Sequence, residues 1–157
     1  MVKINSTSRL PSITSEVILT QTDTTVGFLS QDEKRLQSIK KRPSNKPFIK
    51  VYKTFKALKN ANIRVPSSKK AILRRATKTT FIIKNSAFRV VEDHLDSVLL
   101  TSKVWNYSSS ANESGKNFDR VFCEEKADII IENRNALYEG NSSALYKINH
   151  IKRVRLR

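Results

Sequence analysis

Apolar residues fall along this chain in short runs divided by polar turns, a rhythm of strands and brief helices rather than of long amphipathic helices. Val17-Ile18-Leu19-Thr20 predicts a buried strand that runs into the polar turn Gln21-Thr22-Asp23-Thr24. The SQDE pattern from Ser30 to Glu33 is a capping box, so a helix is expected from Gln31, with Leu36 and Ile39 on its core face. Pro43 bars that helix from running far past Lys41. Phe48-Ile49-Lys50-Val51-Tyr52 alternates and predicts a second strand, followed by a short helix from Lys53 to Asn60 carrying Phe55 and Leu58.

Ser67 or Ser68 is expected to cap another helix over 69–75. The β-rich runs 79–84 and 88–91, parted by Asn85-Ser86, predict a hairpin. His94 to Leu100 has a helical pattern, and Val104 to Tyr107 predicts a strand that ends in a serine-rich loop, Ser108 to Gly115. A helix over about 117–126 and the continuous apolar strand Ile129-Ile130-Ile131 follow, the latter of the kind buried on both faces. The alternating tail, Ser143 to Arg157, supplies one or two more strands. Strands and helices interleave throughout, which predicts an α/β (α+β) fold: one domain over residues 16–157 behind a loose or short-edge segment 1–15.

Charge adds a requirement. Thirty Lys and Arg stand against 14 Asp and Glu, a formal net charge of +16. Such an excess repels itself and fits a polyanion partner, whether a nucleotide, RNA or an acidic protein. Compositional drift toward Lys, Asn, Ile and Ser is the plainer source of the same excess. Cys123 has no intramolecular disulfide partner, and with His94 and His150 it forms no metal-ligand spacing. The first residues lack the apolar core of a signal peptide, and no stretch reaches the ~20 apolar residues of a membrane span, so a cytoplasmic protein without membrane association is expected.

Three polar turns follow apolar elements, where open sheets place their sites. Thr22, Asp23 and Thr24 offer hydroxyls and a carboxylate to a small zwitterionic ligand, although an ordinary Ser/Thr turn would use the same residues. Lys40 and Arg42 can present a point charge and a planar fork to one phosphate or carboxylate, although cations at a helix end also complement its dipole. The turn from Ser108 to Gly115 exposes backbone amides suited to anions. No Walker motif is present, and Ser110 has no partner base for a catalytic triad.

In this order the three turns resemble the signature of the YrdC/YciO family: PTDTxYGL, then KxRP at a helix end, then SAN-x-SG. Here they read Gln21-Thr22-Asp23-Thr24-Thr25-Val26-Gly27-Phe28, Lys40-Lys41-Arg42-Pro43 and Ser110-Ala111-Asn112-Glu113-Ser114-Gly115. The strand Thr80 to Lys84, Phe88-Arg89-Val90, and Gly140 to Ser143 followed by Arg153-Val154-Arg155 are weaker echoes. The resemblance implies a twisted, mixed β-sheet with flanking helices and a basic concave face. It implies synthesis of threonylcarbamoyl-adenylate from threonine, bicarbonate and ATP with Mg²⁺, for delivery to the tRNA threonylcarbamoyltransferase machinery. Lys40, Arg42, Ser110 and Asn112 would form the catalytic tetrad and contact the nucleotide. Thr22, Asp23 and Thr24 would hold threonine, while Ser142 and Arg155 approach the nucleotide. A non-catalytic member binding double-stranded RNA, or a nucleotide-binding accessory protein, is the alternative.

The chain departs from the pattern at Gln21, at Val26, and at Ala76-Thr77-Lys78 where the family has PGP. Val26 in place of the aromatic is expected to remove a flat surface and a hydroxyl from the pocket.

Overall fold

The computed structural model describes residues 2–3, 15–43, 45–91, 104–132 and 134–157. Its strands are β1 (Val2–Lys3), β2 (Ile18–Gln21), β3 (Val26–Ser30), β4 (Ile49–Tyr52) and β5 (Thr79–Ile83). They continue with β6 (Ser86–Val90), β7 (Trp105–Ser110), β8 (Ile129–Ile131), β9 (Ala144–Ile148) and β10 (Arg153–Arg155). The helices are α1 (Glu33–Lys40), α2 (Phe55–Asn60), α3 (Lys70–Arg75) and α4 (Arg120–Lys126). The strands form one mixed sheet in the order β1-β8-β2-β3-β7-β4-β6-β5-β9-β10.

Near the middle, β7 pairs antiparallel with both β3 and β4, although β4 and β7 are far apart in sequence. Parallel pairs join β8 to β1 and β2, β4 to β6, and β5 to β9. The register sorts the side chains into two faces, because paired residues point the same way. Gly27 pairs with Ser110, Leu29 with Ser108, Ser108 with Ile49, and Val51 with Arg89. These residues share one face, which carries the cavity described below. On the other face Val26 and Phe28 pack with Leu36, Cys123 and Ala127 of the α1 and α4 regions. Further along that same face Tyr52, Phe81 and Phe88 pack with Leu58 and Leu73 of α2 and α3. All four described helices thus cover one side of the sheet.

Several sequence expectations are corrected. Val26–Ser30 is a strand that periodicity did not reveal, because all five residues are buried and no polar position alternates. With Ser30 built into β3, the cap passes to Asp32, whose carboxylate accepts from the Arg35 amide at 3.1 Å. Ser30 Oγ instead accepts from the Asp32 amide at 3.0 Å, so α1 begins at Glu33 rather than Gln31. No serine caps α3; a 3₁₀ turn, Ser67–Lys69, precedes it after Pro66. The last described helix starts at Arg120, capped by Asp119, rather than near Asn117. The stretch from Ser108 to Ser110 belongs to β7 rather than to a loop. The helical reading of His94–Leu100 lies outside the described residues.

Candidate functional site

Three local devices bring the polar turns together. At the C-terminus of α1, Lys41 adopts a left-handed backbone (φ 49°). That cap is closed by amides donating to the Gln37 and Ser38 carbonyls. Lys40 points into the protein because it lies one turn beyond Leu36 on the buried face of α1; the cap then leaves Lys41 in solvent and turns Arg42 toward the sheet. The spacing of the KxR motif follows from this geometry. Lys40 is 4% exposed, and its Nζ donates to the Asn112 Oδ1 (2.6 Å), the Ser110 carbonyl (2.7 Å) and the Asn112 carbonyl (2.9 Å). Ser110 Oγ donates to Asn112 Oδ1 at 2.7 Å. Lys40, Ser110 and Asn112 therefore form one hydrogen-bonded unit. Burial, with the Arg42 guanidinium adding repulsion, lowers the Lys40 ammonium to about 8.

The second device is the β2–β3 hairpin turn. Thr22 Oγ1 donates to the Thr25 carbonyl at 2.7 Å and lies 3.3 Å from Thr24 Oγ1, which makes the Ser/Thr turn real. Asp23 is not free for an ammonium: its carboxylate accepts from Arg89 Nη1 at 2.6 Å in a buried pair, 5% and 9% exposed. Arg89 also donates to Thr24 Oγ1 (3.2 Å) and Thr80 Oγ1 (3.3 Å), tying the turn to β5 and β6. Gly140 packs so tightly on the turn that a Cβ there would lie 2.1 Å from the Thr24 carbonyl oxygen.

The third device is a bulge beyond β10. Arg155 pairs with Tyr146 and so shares its face, the helical side of the sheet. Leu156 and Arg157 then both donate to the Leu145 carbonyl, at 2.8 and 3.4 Å, so that two residues oppose one. The extra residue returns Arg157 to the opposite face, where its Nε donates to the Ser143 carbonyl at 3.1 Å.

The result is a cavity of about 220 Å³. Thr22, Thr24, Arg42, Ser110 and Ser142 line it, as does Gly27, whose missing side chain leaves room beside the Ser109 carbonyl. Lys40 and Asn112 stand behind Ser110 rather than in the lining, and Asp23 stands behind Arg89. Arg155 is absent from the lining; Arg89 and Arg157 take part in it. Those two arginines are what sequence reasoning missed. Arg89 had a trace in the Phe88-Arg89-Val90 echo, whereas Arg157 depends on a bulge that no local pattern announces. Val26 is 1% exposed and packs in the core on the helical side, so its replacement of an aromatic takes nothing from the cavity.

Three guanidiniums converge here, and among the described residues no Asp or Glu side chain lines the cavity. The Nε atoms of Arg42 and Arg89 are buried without an acceptor among the described residues, a costly arrangement that an anion would relieve. Burial also weighs against the charge of Arg42, whose guanidinium sits 4.9 Å from the Phe48 ring centre. The lining thus presents cations and hydroxyls, groups whose chemistry is complementary to an anion. Among the described residues no three His, Cys, Asp or Glu side chains converge to hold a metal ion, and no helix is long and apolar enough to cross a membrane.

No family model matches the sequence, and no curated protein matches it. Solved structures do. The chain superposes on P. abyssi Sua5 complexed with L-threonine at a TM-score of 0.79, with 20% identity, 100% of this chain and 57% of that one. E. coli YciO gives 0.70 and 17% over 91% of this chain and 82% of that one. Full-length HypF in its phosphate- and nucleotide-bound form gives 0.66 and 15%, over 90% of this chain and 26% of that one. The chain thus spans little more than half the length of the Sua5 it matches. The likeness to Sua5 and YciO shows that this chain has the YrdC-like fold.

Proposed function

We propose that this chain is a threonylcarbamoyl-adenylate synthase of the YrdC type, acting in tRNA modification. The observation that carries the reading is the assembly of Lys40, Ser110 and Asn112 into one unit behind a cavity lined by Arg42, Ser110 and the Thr22–Thr24 turn. Support for an amino-acid and nucleotide ligand comes from the related structures, one of Sua5 with L-threonine and one of HypF with nucleotide.

Threonine's amine would take up bicarbonate as a carbamate with loss of water. The carbamate oxygen would then attack the α-phosphorus of ATP, forming the mixed anhydride and releasing pyrophosphate. Two anions meet in that step, so the protein's work is neutralising charge and aligning reactants. Arg42, Arg89 and Arg157 supply the positive field and Ser142 a directional donor, while Ser110, whose hydrogen goes to Asn112 Oδ1, donates to the ligand only by turning that bond. Lys40 acts through Ser110 and Asn112, since its three N–H bonds already go to protein oxygens. A volume of about 220 Å³ is below the roughly 300–1,000 Å³ of ordinary ligand pockets. It suits the reacting groups, with the nucleoside lying outside along the sheet. Mg²⁺ would arrive on the triphosphate; hydroxyls and guanidiniums are the wrong donor set to hold it directly.

The test is pyrophosphate release by the purified chain with ATP, Mg²⁺, bicarbonate and threonine. Release that requires threonine, with serine a poor substitute, is expected. ATP binding without threonine-dependent turnover would replace the synthase reading with that of a nucleotide-binding accessory protein. The full commitment of Lys40 to protein oxygens favours one rival, a non-catalytic member binding double-stranded RNA through phosphate contacts. Such binding would tolerate any sequence and fall steeply with salt.

A further inference from the structure

The side of the sheet opposite the cavity carries a second concavity, about 680 Å³, between α2 and α3. Leu58 and Val65 form its buried floor, with Phe55 and Ile63 partly exposed above them. Its rim is Lys56, Lys59, Arg64, Lys70 and Arg74, all exposed. Among the described residues none of these five has an ion-pair partner. Among the described residues no Asp or Glu lines the groove. The sequence explains why: between Glu33 and Glu92 lie 58 residues with 18 Lys and Arg and not one Asp or Glu.

We propose that this groove docks an acidic, amphipathic peptide segment of a partner protein. Two features select that occupant. The exposed parts of Phe55 and Ile63, above Leu58 and Val65, offer the apolar contact on which an amphipathic helix seats its i, i+3 and i+4 side chains. A rim of five unpaired cations is complementary to carboxylates on the same helix, and one small carboxylate would leave most of it unmatched. Nucleic acid would use the rim but leave the floor idle. Phe55, the one aromatic among the described lining residues, already has the Arg74 guanidinium 4.7 Å from its ring centre, so it is not offered as a platform for bases. The groove lies outside the cavity assigned to synthesis, and its use does not depend on that assignment.

The experiment uses the full chain and a fluorescein-labelled peptide of about 12 residues with Leu on one helical face and Glu on the other. A Glu-only peptide of equal charge and an RNA duplex serve as comparators, by anisotropy at about 0.15 M salt, where exposed charges alone are well screened. The Leu/Glu peptide should bind at least about tenfold more tightly than the Glu-only peptide, a gap of about 1.4 kcal/mol. Lys59→Glu/Arg64→Glu should abolish the binding while threonine-dependent turnover and circular dichroism stay unchanged. Ile63→Ser should weaken it with the rim intact, which separates the floor from charge alone. Equal binding of the two peptides, or no binding of the first, would overturn the proposal. So would selective loss of RNA binding in the charge-reversed variant, which would make the face a nucleic-acid surface.

Discussion

Lys40 Nζ lies 2.6 Å from Asn112 Oδ1, across 72 residues of sequence, and the loop after β7 is held to the end of α1 by that bond. The same ammonium binds the carbonyls on either side of Ala111, so it fixes the loop's backbone as well as its side chain. Pairing with Gly27 sets Ser110 on the cavity face, and the buried cation then holds the loop that follows it.

A pH dependence follows from that cation. Lys40 sits at about 8 in the fold against an ordinary 10.5, so between those values the unfolded chain binds more protons and stability must rise with pH. Below about 8 the cost of burying the charge is fully present; it is relieved as pH climbs toward 10.5. Urea melts should show wild-type stability gaining on Lys40→Met across that window. Turnover should move the other way above pH 8, because the neutral amine gives up one of its three donors. Parallel pH curves for the two proteins would remove Lys40 from this role.

Arg42 and Lys41 are adjacent and should behave differently. Arg42→Ala should lower threonine-dependent turnover by at least about a hundredfold, in the range found for removing one transition-state donor. Lys41 is solvent-exposed and pairs with Glu113 at 2.7 Å; such surface pairs contribute about 0–1 kcal/mol, so Lys41→Ala should be mild. Arg42→Ala combined with Asn112→Ala should be little worse than either alone, as for residues acting as one unit. Equal losses from Lys41→Ala and Arg42→Ala would indicate a diffuse basic face.

The Asp23–Arg89 pair makes a stability prediction. Both ends are nearly buried, so removing one leaves an unpaired charge inside, a change that costs about 3–5 kcal/mol. Asp23→Ala and Arg89→Ala should each lower the urea midpoint strongly, while the double variant should cost far less than their sum. Additive losses would show that the two side chains act separately.

Gly27 is tested by a single methyl. A Cβ there would meet the Ser109 carbonyl oxygen and Thr22 Cγ2, each at 3.0 Å. Gly27→Ala should cost about 1–3 kcal/mol by overpacking and reduce turnover by crowding the cavity floor. Unchanged urea melts and unchanged kinetics would mean that β3 and β7 can part freely.

Much of this architecture is legible in the order of the residues alone. The strands β2, β4 and β8, the β5–β6 hairpin and the two tail strands announce themselves by alternation or by an apolar run. The three motifs locate two sides of the cavity. What escapes such a reading has a common physical origin. β3 is buried on both faces and so shows no alternation. Ser108 to Ser110 favour turns locally, but pairing with β3, and for Ser108 with β4 as well, makes them strand. Arg89 faces the cavity only through the register that aligns it with Val51, and Arg157 only through a bulge.

That bulge makes facing a matter of parity. Along an edge strand, each added residue exchanges inside for outside, so the identity of an arginine does not say which side of the sheet it serves. Leu156, sharing the Leu145 carbonyl with Arg157, is the odd member of the count. The positive charge it sends into the cavity is thus set by count as well as by identity: removing one residue between Arg155 and Arg157 would turn the last guanidinium to the helical side.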